Sequence, residues 1–327
     1  MVEYEKPWLS VDEQISRLKE HGLEIKDDHR AALLLKAIGY YRLTGYLYPF
    51  RQSKPYADNE SCTRMCILNS YQAGTTLDHA KDIIDFDRRL RMLVMDGVER
   101  IEIAVRMRIG YVLGKRSRFA HEDPACFTKA FTAEKTTQIP EPSKQVQWLQ
   151  SVNKRKAHSD EQFVKHFQEK YDDRIPIWVL TEILELGHLS NLYRGMHQED
   201  AEEIAQAFGV PTKKIMASWL ASLNYVRNVA AHHSRLFNRK LQHAPKRPKH
   251  GEIPTLDHLQ DSKTAKGTFG TYNALAIMAY LLRSIDQGTD WPEQMAVLLH
   301  DFPASHVLTI ESMGAPQNWE TLNLWRA

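Results

Sequence analysis

Residues 77–113, LDHAKDIIDFDRRLRMLVMDGVERIEIAVRMRIGYVL, carry the clearest periodicity in the chain. Phe86, Leu90, Leu93, Val94, Val98, Ile101, Val105, Ile109 and Val112 recur every three or four residues, the repeat of one face of an α-helix. A helix of this length, with one apolar stripe and a charged back, suits a bundle whose helices lie alongside one another for most of their span. Gly114 is expected to end it.

The flanking sequence is helical as well. Ser10 followed by Glu13 forms a capping box for a helix running to about His21, with Gly22 placed as its stop. A second helix fits Asp28 to Ile38, closed by Gly39. The aromatic run from Gly39 to Arg51 reads first as a wall of large side chains in a core, with a stacking surface for bases as the alternative. Ser53 to Thr75 reads as loop, and Lys115 to Ser143 as a surface connection. Further helices are expected over 144–154, 159–171 and 177–193, the last with Trp178, Leu180, Ile183, Leu184 and Leu186 buried. Thr212 is a plausible cap for a helix with Ile215, Met216, Trp219, Leu223 and Val226 on its inner stripe. Residues 242–267 have no regular period and are rich in Pro, His and Lys; loops of this length are usually functional or mobile. Helices over 272–285 and 292–300 close the chain. No strand ladder is expected, and the fold class is all-α.

The 327 residues carry 43 Lys and Arg against 41 Asp and Glu, a net charge of +2, so total charge does not point to nucleic acid. The distribution is uneven. From Val226 to Gly251 there are seven Lys or Arg, four His and no acidic residue, and from Arg88 to Arg118 nine Lys or Arg against three acidic residues. Such clusters suit an anionic partner met at a defined place, or else solvated helix faces and a basic loop. Three cysteines, Cys62, Cys66 and Cys126, are too few for a disulfide framework and lack zinc-ligand spacing, so no metal site is expected. The chain shows neither a run of about 18 apolar residues nor an N-terminal signal-peptide pattern, which points to a cytoplasmic protein without a membrane partner.

The chemistry-bearing segment is Asn224-Tyr225-Val226-Arg227-Asn228-Val229-Ala230-Ala231-His232-His233-Ser234-Arg235-Leu236-Phe237-Asn238-Arg239. RNA cleavage without a metal needs a base near neutral pKa for the 2′-hydroxyl proton and a cation for charge building on the phosphate. Histidine titrates in that range, and arginine is a permanent bidentate partner of phosphate oxygens. Asn228 and His232, four apart, share a helix face that Arg235 extends. Arg227 and His232 are five apart, about 140° around an ideal helix. They address one phosphate only if the helix ends near His232 or a second protomer supplies the complementary group, a spacing that favours a composite homodimer site. The same residues also have a purely structural reading, because Arg and His near a helix C-terminus complement its dipole.

Several blocks, in order, resemble the Abi-like family of AbiD/AbiF type. They are Lys6-Pro7-Trp8-Leu9-Ser10, Ile38 to Phe50, Asp87 to Arg91, Glu99 to Arg106, Pro176 to Leu180 and Leu223 to Arg239, spanning roughly residues 6–240. That family is assigned to the HEPN superfamily of helical bundles, many of them metal-independent ribonucleases. Its motif of Arg, a polar residue, three to five further residues and His is matched by Arg227, Asn228 and His232. The resemblance implies a HEPN-like bundle over 1–240, with the basic loop and C-terminal helices of 241–327 packed on the same domain. It also implies a phage-defence role by abortive infection.

On this reading His232 is the general base or acid, Arg227 stabilises the phosphate, and Asn228 orients His232 or substrate. His233, Arg235 and Arg239 are candidate RNA contacts, and Glu182 a candidate partner for one of the cations. No cofactor is implied. Expected partners are RNA, including a small non-coding RNA, a second copy of the chain and an antitoxin. The alternative is a non-catalytic RNA-binding protein that holds a small or structured RNA as scaffold or regulator.

Overall fold

Local signals set most of the helix boundaries. In a computed structural model, which describes residues 3, 7–55, 65–134, 141–261 and 264–326, Ser10 caps α1 (Val11–Glu20). Its hydroxyl accepts the Glu13 N–H, and the Glu13 carboxylate accepts the Ser10 N–H. Asp27 caps α2 (Asp28–Ile38), which stops at Gly39 with φ 86°. Then come α3 (Tyr40–Tyr46), strands β1 (Arg51–Pro55) and β2 (Met65–Tyr71), and α4 (Leu77–Arg116). Next are α5 (Lys129–Thr132), α6 (Lys144–Ala157), α7 (Gln162–Lys170), α8 (Ile177–Leu180), α9 (Leu186–Gly195) and α10 (Gln198–Ala207). The chain closes with α11 (Lys213–Ala231), α12 (Ala265–Phe269), α13 (Thr271–Ile285) and α14 (Trp291–His300), among short 3-10 turns. The fold is mostly α-helical, as expected.

Two compact units are distinguishable, one comprising the residues up to Arg89 with Leu298–Ile310, the other Leu90–Val297 with Glu311–Ala327. In the first, Tyr46 and Phe50 of the aromatic run are buried whereas Tyr41 is 92% exposed, so the run is part core and part surface. The Tyr46 hydroxyl donates to the buried carboxylate of Asp87 at 2.6 Å, and Phe50 stacks on His79. In the second, the apolar stripe of α4 is buried from Leu90 to Leu113 except for the half-buried Leu93. Trp219, Trp291, Tyr193 and Tyr272 are its largest fully enclosed side chains.

Four expectations are corrected. The stretch read as loop over 53–75 contains β2 and most of β1, an antiparallel pair with Ser53 opposite Ile67 and an irregularity after Arg51. β1 is exposed at four of its five positions, and β2 alternates exposed with half-buried ones. The β2 sequence Met-Cys-Ile-Leu-Asn-Ser-Tyr does not alternate apolar with polar residues, so the period-2 signal of a strand is missing. Second, α4 runs through Gly114 to Arg116. Gly110 and Gly114 lie under Trp178, which would meet a β-carbon on them at 2.9 and 3.1 Å. They serve a close approach rather than a stop, and Trp178, expected to be buried, is 49% exposed while it covers them. Third, 177–193 is not one helix. It breaks at Leu184 and Glu185, whose ψ values of 135° and 161° are extended. Fourth, the 242–267 stretch, read as without regular structure, contains a 3-10 turn at Pro254–Leu259 with Leu256 and Leu259 buried, and α12 begins within it at Ala265.

The basic cluster of α4 is largely neutralised. Arg89 pairs with Asp301, Arg100 with Asp96, Arg106 with Glu102, Lys115 with Glu203, and Arg116 with Asp200. Cys66 and Cys126 are free thiols, and Cys62 lies outside the described residues. Among the described residues no helix is long and apolar enough to cross a membrane.

Candidate functional site

Thr212 caps α11 by accepting the Ile215 N–H at 3.2 Å. All five residues of the expected inner stripe are buried, with Trp219, Leu223 and Val226 at 0% exposure. This anchored face fixes the outward direction of the residues between. The helix runs to Ala231, and His232 is its C-cap with φ −86° and ψ 14°. The His233 N–H bonds Ala230 O and the Ser234 N–H bonds Val229 O, both at 3.0 Å. These two bonds form a Schellman closure.

Arg227 is half-buried on the last turns of α11, with a 26% exposed side chain. Its guanidinium donates to Asn228 Oδ1 at 3.2 Å and lies 3.7 Å from the Glu185 carboxylate. Glu185 reaches it because the helix is broken there. On α4, the Glu102 carboxylate accepts the N–H of Leu186 at 3.1 Å, and Arg106 donates to Leu184 O at 2.9 Å. Arg155 of α6 donates to Ile183 O at 3.1 Å. Three side chains from two other helices thus satisfy the backbone groups that a continuous helix would pair internally. At Gly187 there is room for no more than a tight β-carbon, 3.3 Å from Asn224 Oδ1, which brings the start of α9 close against α11.

His232 and His233 are exposed, and among the described residues neither imidazole makes a hydrogen bond or ion pair. Arg235 is half-buried and partnered. Arg239 folds back to donate to the Tyr225 hydroxyl at 3.0 Å. Tyr225, seven residues before His232, lies on nearly the same side of the helix. Glu182 is exposed and makes none of these contacts. Among the described residues no group of three or more His, Cys, Asp or Glu converges as a metal ligand set.

A sequence profile described as "Abi-like protein" matches residues 33–238, from α2 to the segment after α11. The chain belongs to the Abi-like protein family. No curated protein and no solved structure gives a match. The match begins at Leu33, so the block around Trp8 lies outside it. Its far end includes the whole Arg227-to-His232 stretch of this Abi-like protein and stops just before Arg239.

Reasoning from sequence missed Glu185, Glu102 and Arg106 as residues that place the Abi-like protein's Arg227. One signal was present: Glu185 sits within an apolar run, where an acid needs a partner. A second feature was not legible. His233 adopts φ 56°, the left-handed conformation that glycine ordinarily supplies after a helix. Strain of this kind gathers at functional segments. His233→Gly is expected to raise stability by about 0.5–1 kcal/mol, read as a higher urea midpoint at unchanged slope. A lower midpoint would show that the imidazole contributes more to folding than its backbone costs.

Proposed function

We propose that this Abi-like protein is a cytoplasmic phage-defence ribonuclease of the abortive-infection kind, related to the AbiD/AbiF type and built on a HEPN-type bundle. It cuts RNA through Arg227 and His232. The observation that supports this reading most is the end of α11 at His232. It frees an unpaired, exposed imidazole from the helix, while Arg227 is held by Asn228 Oδ1 and lies 3.7 Å from the Glu185 carboxylate. A held cation and an unengaged titratable base, brought to one phosphate, are what 2′-hydroxyl attack on a phosphodiester requires.

His232 takes the 2′-hydroxyl proton, and Arg227 neutralises charge on the phosphate, exchanging its loose contact with Glu185 for phosphate oxygens. Asn228 holds the guanidinium. His233, Arg235 and Arg239 line the approach for flanking phosphates. The 2′-oxygen bonds to phosphorus as the bond to the 5′-oxygen breaks, and the leaving oxygen takes a proton from a protonated His232 or from water. The products therefore carry 2′,3′-cyclic phosphate and 5′-hydroxyl ends. The site is composite, with two copies of the chain meeting so that Arg227 of one serves the base of the other. An exposed apolar stripe on α4, comprising Ile103, Met107 and Tyr111 one turn apart, supports such an association. A small RNA or an antitoxin restrains the enzyme before infection.

The test incubates purified protein with end-labelled RNA, and with DNA of the same sequence, in excess EDTA. RNA cut to cyclic-phosphate ends with DNA intact is the expected outcome, since DNA lacks the nucleophile. RNA retained uncut, with affinity that falls steeply with salt, would replace the nuclease by an RNA-binding scaffold.

A further inference from the structure

A second built site lies on the other side of α9. Between α6, α9 and the segment around α5 is a cavity of about 460 Å³ whose lining includes neither Arg227 nor His232. Its size falls within the range of small-molecule sites. Its floor is apolar and held in place. Phe131 lies so close to Gly195 that a β-carbon there would meet the ring at 2.5 Å. Trp148 donates its indole N–H to His188 O at 2.9 Å.

The rim is cationic. Lys144 and Arg194 line the cavity, and among the described residues neither has a carboxylate partner. Among the described residues no Asp or Glu belongs to the lining. Two cations without a carboxylate partner among the described residues, lining a cavity with an apolar floor, suit an anionic ligand. Polar groups complete it: Asn191 and Ser151 line the wall, and the Ser151 hydroxyl is held by His188 Nε2 at 2.9 Å. His188 Nδ1 is buried without a hydrogen-bond partner, an unmet polar group of the kind that calls for a functional explanation. Burial lowers the His188 pKa, so at neutral pH the imidazole is uncharged and Ser151 keeps a neutral hydrogen-bonding partner.

We propose that this cavity binds a nucleoside phosphate, with the phosphate between Lys144 and Arg194 and the base on the floor formed by Phe131 and Trp148. Asn191 and Ser151 supply hydrogen bonds to the base or sugar. The inference stands without the nuclease reading, because none of its residues takes part in that site. The same chemistry has two sources, a free nucleotide or an unpaired nucleotide of a bound RNA.

Isothermal titration of the full chain with the four nucleoside 5′-monophosphates, with adenosine and with a trinucleotide RNA tests it. Lys144→Ala/Arg194→Ala, two exposed positions, should weaken binding at least about tenfold, as loss of a charge-assisted contact does. Arg227→Ala should leave monophosphate binding unchanged. Monophosphate binding that depends on the two cations identifies a free nucleotide; trinucleotide binding alone with that dependence identifies an RNA-borne one. No binding, binding indifferent to the double substitution, or adenosine binding as tightly as its monophosphate would each overturn the proposal.

Discussion

His232→Ala is expected to slow RNA cleavage by about 10²–10⁴-fold, the contribution of a positioned general base, while leaving RNA affinity within about twofold. The side chain is exposed and makes no hydrogen bond or ion pair among the described residues, so its removal costs the fold little. Arg227→Ala should slow cleavage by about 10²–10³-fold, as loss of one charge-stabilising group does, but with a different signature. It removes a phosphate contact, so affinity falls and its dependence on salt flattens by about one ion. The ion pair it breaks, with a carboxylate 43% exposed, adds little stability. Single-turnover rates on end-labelled RNA, beside filter-binding at several salt concentrations, separate the two. A His232→Ala variant that cuts at the wild-type rate would remove His232 from the chemistry.

Trp219→Ala should lower unfolding free energy by about 3–5 kcal/mol, the range for emptying a fully buried aromatic site and a large part of what a domain of ordinary stability possesses. Trp219 is 0% exposed, meets Tyr280 edge-on with ring centroids 5.9 Å apart, and donates its indole N–H to Lys246 O at 2.8 Å. Beside it, Ser218 Oγ accepts the Lys246 N–H at 2.9 Å. One turn of α11 thereby holds both polar backbone groups of a loop residue. Trp219→Phe, which keeps most of the ring and loses the donor, should cost about 1 kcal/mol. It should also raise hydrogen exchange around Lys246 more than in α13. A urea series on the three proteins measures this, and equal midpoints for wild type and Trp219→Ala would refute the packing role.

The helices legible in sequence were those whose reasons are local. Ser10 with Glu13, Asp28 to Gly39, and Thr212 with its stripe all place cap and apolar face within one segment. The extended Leu184–Glu185 step was hidden because its partners, Glu102 and Arg106, are distant in sequence and resemble ordinary surface charges of α4. Gly114 read as a helix end because the residue that needs it, Trp178, is equally remote. The site divides the same way. Arg227, Asn228 and His232 share one segment, so their spacing was open to argument, including the condition that the helix end near His232. Glu182, the candidate partner for one of the cations, is exposed, and the acid near Arg227 is Glu185, at the break that the sequence does not show.

The carboxylate of Glu102 accepts from a backbone group 84 residues later, and Arg106 donates to one 78 residues later. Contacts this remote in sequence form late in folding and only when both segments are present. On the ribosome, α4 emerges well before the Leu184–Glu185 step, and the step before α11. Lys246, whose backbone accepts from Trp219, follows α11, and Tyr280, which packs against the same ring, later still. A nascent or prematurely terminated chain that stops short of Lys246 therefore carries the parts of the site without the packing that positions them. On the proposed nuclease reading, this order of assembly acts as a timer, withholding activity until the residues through Lys246 have been made.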